Sequence, residues 1–162
     1  MAHLWIEDTG GWAVFPLPAD GRVALPPAQT SETVWLERAA GAGSGWLLVC
    51  GGEDDVVLNG LPLATGIRVL EDRDEIRLPG AGRCFFSTER LAEVRPYSGD
   101  GMRRCPRCRR PLEAGDSSVR CPSCDLQFHQ TDAFPCWTHD PTCLCGHPTD
   151  FDGRYRWNPE NL

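Results

Sequence analysis

The part of the chain that decides its fold is residues 105–145, which read Cys105-Pro-Arg-Cys108, then Cys121-Pro-Ser-Cys124 after twelve residues, then His129, Cys136 and Cys143-Leu-Cys145. A Cys-x-x-Cys turn places two thiolates where both can reach one tetrahedral ion. One such pair is a weak signal, but two pairs followed by a histidine and three more cysteines are a strong one. The segment therefore predicts a zinc-binding module.

The number of ligands indicates two ions. A single four-cysteine site would use the two Cys-x-x-Cys pairs alone and would leave the histidine and the last three cysteines without a role. Chain order then allows an interleaved cross-brace, in which the first and third ligand pairs share one ion and the second and fourth share the other. Because four protein ligands leave no open position for water, we expect both Zn²⁺ ions to be structural and to supply folding energy.

The residues around these ligands carry a family resemblance. The order Cys-Pro-x-Cys, Val-x-Cys-Pro-x-Cys, Phe-His, Cys-Trp and two closing cysteines resembles the prokaryotic RING finger family, and it is similar to the RING domains of ubiquitin ligases. The resemblance implies a small RING-like module of treble-clef type with two ligand sets. These sets are Cys105, Cys108, His129 and Cys136 for the first ion, and Cys121, Cys124, Cys143 and Cys145 for the second.

The closing Cys143-x-Cys145 pair is cramped for two ligands on one tetrahedral ion. His147 is therefore an alternative ligand for a neighbouring cysteine, and His139 is the next alternative. His3, alone near the N-terminus, is expected to lie on the surface.

The RING resemblance also implies a function. A RING domain binds a thioester-loaded ubiquitin-conjugating enzyme and promotes transfer of the ubiquitin-like modifier to a substrate amine, by orientation and not by a nucleophile of its own. The matching docking positions in this chain are Pro106, Arg107, Trp137, Pro141 and Pro148. Trp137 has two interpretations, because it is either an interface anchor or a core aromatic packed on the first zinc site.

Residues 1–97 predict a separate β domain. Short apolar stretches such as Trp46 to Cys50 alternate with turns rich in Gly, Pro and Asp, which is typical of a sandwich or barrel, and no long helical periodicity is present. The predicted fold class is therefore mainly β. Residues 98–104 are the predicted linker, residues 105–148 the zinc module, and residues 149–162 a tail that we expect to pack on that module, with a partner or a second copy of the chain as the alternative.

The stretch from Asp55 to Leu78 resembles the closing strands of a forkhead-associated (FHA) domain. An Asn59-Gly60 turn suits a tight hairpin because both residues accept a positive φ, and an acidic turn then leads into another strand. The resemblance implies an FHA-like β-sandwich that recruits partners. Gly21-Arg22 is similar to the first phosphate-contacting element of that family, but no Ser-x-x-His motif follows. We therefore expect a degenerate FHA-like domain that serves as a scaffold or protein-binding surface.

Charge argues against a nucleic-acid partner, since the net charge is −7 and the isoelectric point is about 5.0. An arginine run nevertheless surrounds the first zinc loop, at Arg103, Arg104, Arg107, Arg109 and Arg110. It is either a solvated face that balances thiolate charge or a phosphate-binding surface. All 16 basic residues are arginine. This fits a GC-rich genome, or a protein that works beside lysine-modifying chemistry.

No export or membrane signal is expected. Glu7 and Asp8 interrupt any apolar run near the N-terminus, and the longest such run, residues 46–50, is too short to cross a bilayer. We therefore expect a cytoplasmic protein, with Cys50 and Cys84 as small buried core residues.

Taken together, these features predict a bacterial RING-type ligase component. Its partners would be a ubiquitin-conjugating-enzyme-like protein, a ubiquitin-like modifier and a protein substrate, with no membrane. The alternatives are a non-catalytic zinc-stabilised adaptor and, after it, a zinc-ribbon nucleic-acid binder.

Overall fold

The computed structural model describes residues 2–19, 21–25, 33–39, 45–51, 56–63, 66–78, 82–99, 101, 103–151 and 153–162. Within these residues the regular structure is β-strand apart from one short 3₁₀ turn, Pro159–Asn161, so the predicted mainly β class is confirmed. The chain forms two compact units. The first comprises Met1–Glu89 with Arg156–Leu162, and the second comprises Arg90–Tyr155.

Ten strands build the first unit. In chain order they are β1 (His3–Asp8), β2 (Gly11–Pro16), β3 (Arg22–Ala24), β4 (Val34–Arg38), β5 (Trp46–Cys50), β6 (Val57–Leu58), β7 (Leu61–Pro62), β8 (Gly66–Leu70), β9 (Glu75–Leu78) and β10 (Gly82–Ser87). They form a six-stranded sheet in the order β2-β1-β10-β9-β6-β7 and a four-stranded sheet in the order β3-β4-β5-β8.

The two sheets share one hydrophobic core. Strand β5 shows how, because Trp46, Leu48 and Cys50 are buried while the residues between them are only half-buried, the period of two expected for a strand with one covered face. The six-stranded sheet contributes Leu4 and Phe86 to the same core, and both are 0% exposed. The first unit is therefore a two-layer β fold.

The Asn59-Gly60 turn joins β6 to β7 as a tight hairpin, with φ values of +51° and +79° at its two residues. The Asn59 amide nitrogen donates to Asp74 Oδ1 at 2.7 Å, and its amide oxygen accepts the backbone N–H of Glu75 at 2.8 Å. The asparagine thus joins this hairpin to the acidic turn before β9.

The interior of the first unit confirms two predictions and corrects one. Cys50 and Cys84 are 4% and 3% exposed, as expected of core residues. His3 does not lie on the surface, because it is only 1% exposed and its ring packs edge-on against Trp5 with centroids 5.8 Å apart. The outer face of β1 is covered, so a polar residue near the N-terminus is not solvated.

The C-terminal segment is part of that cover. The Glu89 carboxylate accepts the backbone N–H groups of Arg156 and Trp157, at 2.8 and 3.2 Å. The Trp157 ring packs edge-on against Phe85 and Trp5, with centroid distances of 5.6 and 6.5 Å. The expectation that the tail packs on the zinc module is therefore wrong for residues 156–162, because Trp157 packs on aromatic side chains of the six-stranded sheet instead.

Five short strands organise the second unit. They are β11 (Val94–Pro96), β12 (Arg103–Arg104), β13 (Pro111–Leu112), β14 (Ser117–Arg120) and β15 (Gln127–His129). Strands β11, β14 and β15 form a three-stranded sheet, and β12 pairs with β13 in a hairpin.

The predicted domain limits differ from these units. Residues 94–96, placed in the β domain by sequence, pair with β14 in the second unit, as in Val94 opposite Val119. Residues 100 and 102 of the predicted linker lie outside the described residues. No helix in the described part of the chain is long and apolar enough to cross a membrane.

Candidate metal centres

Two turns of the same design carry the paired cysteines. In the first, the backbone N–H of Arg109 donates to the Cys105 carbonyl at 2.8 Å, and in the second Asp125 donates to the Cys121 carbonyl at 3.1 Å. Arg109 and Asp125 have φ values of +62° and +61°. The chain therefore reverses immediately after each Cys-x-x-Cys, which turns both thiols of a pair to the same side.

These turns bring eight ligand atoms into two groups of four, and within each group all ligand atoms lie within 4.8 Å of one another. The groups are Cys105, Cys108, His129 and Cys136, and Cys121, Cys124, Cys143 and Cys145. They are the two sets that the RING resemblance implies. Neither His139 nor His147 joins a group. The ligand pairs interleave along the chain, as in a cross-brace.

The separations in the second group suit a tetrahedral thiolate site. The sulfur atoms of Cys121 and Cys145 are 3.7 Å apart, as are those of Cys124 and Cys143. A zinc–sulfur bond of about 2.3 Å corresponds to a sulfur–sulfur edge of about 3.8 Å in a regular tetrahedron. Two of the six sulfur–sulfur edges thus match a tetrahedral zinc site, and the other four are within 4.8 Å.

The closing Cys-x-Cys is accommodated by a backbone turn. The N–H of Cys143 donates to the His147 carbonyl at 2.7 Å, and Gly146 donates to the Cys143 carbonyl at 2.9 Å. This turn bends the chain between the two thiols, so both reach the group and the His147 side chain stays outside it.

His129 is oriented for coordination through Nδ1. This nitrogen lies 3.4 Å from the Cys108 sulfur, while Nε2 donates to the Pro111 carbonyl at 3.1 Å. The Asp116 carboxylate lies 3.7 Å from the same Nε2. Because a carbonyl can only accept, the proton belongs on Nε2 and the Nδ1 lone pair faces the three thiols. A second partner of this kind commonly fixes a metal-binding histidine.

The pKa values of the thiols differ within each group. Burial would raise the pKa of Cys105, but backbone N–H groups of Cys108, His129 and Arg107 outweigh it and lower the value to about 7. A backbone N–H from His147 likewise lowers the pKa of Cys145 to about 7. The protein thus already stabilises one thiolate in each group.

Other thiols of the two groups behave in the opposite way. Burial raises the pKa of Cys121 and of Cys136 to about 12. In Cys136 the neighbouring sulfurs of Cys105 and Cys108 add to the effect. Three or four thiolates this close together repel one another unless a cation lies between them. Both donor sets therefore fit a bound metal ion.

The ligands are also a large part of the core around them. Four ligand cysteines are buried beside Tyr97, Leu112, Val119, Phe128 and Trp137. Such a small apolar core does not suffice for a stable unit, and bound metal is the usual remedy. We therefore expect the second unit to depend on metal for its fold.

Trp137 is a core residue and not an interface anchor. Its side chain is 0% exposed, it meets the Phe128 ring edge-on at a centroid distance of 5.5 Å, and its backbone N–H donates to the His129 carbonyl. The interpretation of Trp137 as an interface anchor is therefore wrong, because its side chain points into the core of the second unit.

The other predicted docking residues vary in exposure. Pro141 is exposed, and Pro106 and Pro148 are half-buried. Arg107 is largely covered, with 13% of its side chain exposed, because it forms an ion pair with Asp140 and donates to the Thr142 carbonyl at 3.2 Å. The first metal-binding loop is thereby joined to the chain that leads into the second.

One surface residue escaped the sequence prediction. Leu144, between Cys143 and Cys145, is 68% exposed, the largest value among the exposed apolar side chains described in the second unit. The signal was present in the sequence, because two flanking ligands that both face an ion force the residue between them outward.

Comparison of the chain with known protein families, with characterised proteins and with solved structures finds no match.

Proposed function

We propose that this chain is a RING-type ligase component. Its zinc module would bind a thioester-loaded ubiquitin-conjugating-enzyme-like protein and promote transfer of a ubiquitin-like modifier to a substrate amine. The observation that carries the proposal is the interleaving of the two ligand groups, in which residues 105–108 join residues 129–136 and residues 121–124 join residues 143–145. A simple zinc ribbon would instead combine the first two pairs.

Zinc is the proposed ion in both groups. One group offers three thiolates and an imidazole and the other four thiolates, donor sets that select Zn²⁺ among the metals commonly bound by proteins. With four protein ligands each, both sites are closed to water, so the ions would act on folding and not on substrate.

The chain's own contribution to transfer would be positional. Holding a loaded enzyme in one reactive orientation converts a loose encounter into a reaction between fixed groups. Because Trp137 is buried, the docking face must use residues on the surface of the two loops. Leu144 and Pro141 are exposed there, and Pro106 is half-exposed in the first loop.

The first unit would recruit a protein partner as an FHA-like domain. The Asn59-Gly60 hairpin and its bonds to Asp74 and Glu75 support this part of the proposal. Ile67 and Val69, on the outer side of β8, are 57% and 66% exposed and offer an apolar contact surface.

Discharge of a loaded ubiquitin-conjugating enzyme tests the function directly. The rate of thioester loss to free lysine is measured with and without the zinc-loaded protein, using conjugating enzymes from the same cell. We expect acceleration by the natural chain and its loss in Leu144→Asp with two zinc ions still bound. Leu61→Asp is the matched control, because Leu61 is 73% exposed in the first unit.

Two results would contradict the proposal. One is no acceleration by the natural chain with two zinc ions bound and the fold intact. The other is equal acceleration by Leu144→Asp and by the control Leu61→Asp. That result would show that the conjugating enzyme does not dock on the second metal-binding loop.

A non-catalytic adaptor is the second candidate, and the position of Arg107 favours it. That side chain points to Asp140 and Thr142 and adds no apolar area to the first loop. An adaptor would bind its partners in a zinc-dependent way while leaving discharge at the rate of the enzyme alone.

A further inference from the structure

Four arginines near the first metal group have no carboxylate partner among the described residues. We call residues 103–110 the arginine hairpin, and its four members that are unpaired in this sense are Arg103, Arg104, Arg109 and Arg110. All four are exposed, and none forms an ion pair with a described residue.

Several other arginines in the described chain are paired with carboxylates. Ion pairs join Arg77 to Glu75, Arg83 to Glu7, Arg95 to Glu93, and both Arg90 and Arg120 to Asp125. An acidic chain therefore has ample carboxylates, yet none in the part of the chain that the structure describes pairs with the densest group of arginines. The arginine hairpin is a concentrated positive surface on a negatively charged protein.

The hairpin geometry brings these groups together. Arg104 lies opposite Pro111 in the β12–β13 pair, and the Cys105 N–H donates to the Arg110 carbonyl at 2.9 Å. The Arg104 guanidinium donates to the Arg109 carbonyl at 3.1 Å. The Arg110 guanidinium lies over the Phe134 ring, 4.4 Å from its centroid. Two of the four side chains are thus ordered in advance, which reduces the entropy lost when a ligand binds.

Neutralising the metal-bound thiolates does not explain this group. The described side-chain contacts of the unpaired arginines go to a carbonyl oxygen and to an aromatic ring instead. Their charge remains available to a partner.

The chemistry of the partner follows from the guanidinium group and from the rest of the chain. Guanidinium groups bind carboxylates and phosphates in paired hydrogen bonds. The net charge is −7, to which seven thiolates and two Zn²⁺ ions would add about −3, and the resulting repulsion grows with the number of charges on the partner. It therefore penalises a nucleic-acid duplex more than a short acidic segment. Arg110 covers one face of Phe134, the aromatic ring beside the arginines, and the residue is half-buried, so the ring is a poor stacking surface for a nucleic-acid base.

We infer that the arginine hairpin docks an acidic protein segment rich in Asp and Glu. The inference does not depend on ligase activity, because its test changes Arg103 and Arg109 whereas the discharge test changes Leu144. Its failure would leave the discharge result unchanged, and the reverse is also true.

Fluorescence polarisation with a labelled peptide of alternating Asp and Glu tests the inference on the full zinc-loaded chain at low salt. We expect binding that weakens as the salt concentration increases. We also expect the affinity to fall about tenfold in each of the single variants Arg103→Glu and Arg109→Glu. Arg68→Glu is the matched control, because Arg68 is also an exposed strand arginine without a carboxylate partner among the described residues, and there we expect unchanged affinity.

Three outcomes would overturn the inference. They are no binding of the acidic peptide at low salt, an equal loss of affinity in Arg103→Glu and Arg68→Glu, and tighter binding of a labelled DNA duplex that Arg103→Glu abolishes. The last outcome would assign the surface to nucleic acid. Zinc content, measured in every variant, shows that the metal groups remain formed.

Discussion

The guanidinium of Arg107 forms an ion pair with the carboxylate of Asp140. Arg107 lies between two ligands of the first metal group, and Asp140 lies three residues before Cys143 of the second. The Asp140 carbonyl in turn accepts the hydroxyl of Thr149. One side chain therefore joins the loops of two metal groups that have no ligand in common.

Loss of this link should destabilise the zinc module as a whole. For Arg107→Ala we expect the free energy of unfolding to fall by about 1–2 kcal/mol, since Arg107 is largely buried while Asp140 is 58% exposed and partly screened by solvent. Urea denaturation with saturating zinc measures the change. Arg103→Ala, which removes an exposed arginine of the same hairpin, should change stability by less than about 0.5 kcal/mol. Equal effects of the two variants would show that the link contributes nothing.

Thiol reactivity should separate the two units. Burial, with a smaller effect of Glu75, raises the pKa of Cys84 to about 12, so this thiol stays protonated and unreactive at pH 8, where an ordinary thiol begins to ionise. After chelation of zinc we expect seven of the nine cysteines to react with a thiol reagent, and all nine after denaturation. Reaction of Cys50 or Cys84 on chelation alone would show that the first unit also requires metal.

Trp137 and Leu144 should respond oppositely to truncation. Trp137→Ala removes a fully buried ring from the metal-bound core and should cost about 3–5 kcal/mol, enough to release zinc from a small unit. Leu144→Ala, at 68% exposure, should leave zinc content and stability unchanged. Calorimetry and metal analysis of both proteins check this. A stable, zinc-loaded Trp137→Ala would contradict the core assignment.

The C-terminal segment should stabilise the first unit. Trp157→Ala removes the ring that packs on Phe85 and Trp5, and we expect a loss of about 2 kcal/mol in the unfolding of that unit. Near-ultraviolet dichroism on the chelated protein follows that transition alone. Phe151→Ala, a change in the part of the tail that belongs to the second unit, is the control and should have no effect on it. Identical unfolding transitions in both variants would show that the C-terminal segment does not stabilise the first unit.

The metal groups could be predicted from sequence because ligand chemistry is local and highly restrictive. A Cys-x-x-Cys turn has few conformations, and eight ligands in this order can be divided between two ions in few ways. The β class was also predictable, since period-two burial such as that of Trp46, Leu48 and Cys50 is written directly in the residue pattern.

What sequence could not supply depends on contacts between distant residues. The sequence around Trp137 is compatible both with an interface anchor and with a core residue. Only the residues that surround it in the fold distinguish the two roles. Arg107 looks like part of a charge run until Asp140, thirty-three residues later, is placed beside it. His3 likewise packs against Trp5, and Trp5 in turn meets Trp157 from the opposite end of the chain, contacts that no local sequence pattern indicates.

The most direct test of the cross-brace is cadmium NMR of the protein with both metal groups loaded with cadmium in place of zinc. The two ligand groups predict two metal signals, one typical of three sulfurs with one nitrogen and one typical of four sulfurs. The four-sulfur signal should correlate with protons of Cys121, Cys124, Cys143 and Cys145. A signal correlated jointly with Cys105, Cys108, Cys121 and Cys124 would contradict the cross-brace and, with it, the proposed RING-type function.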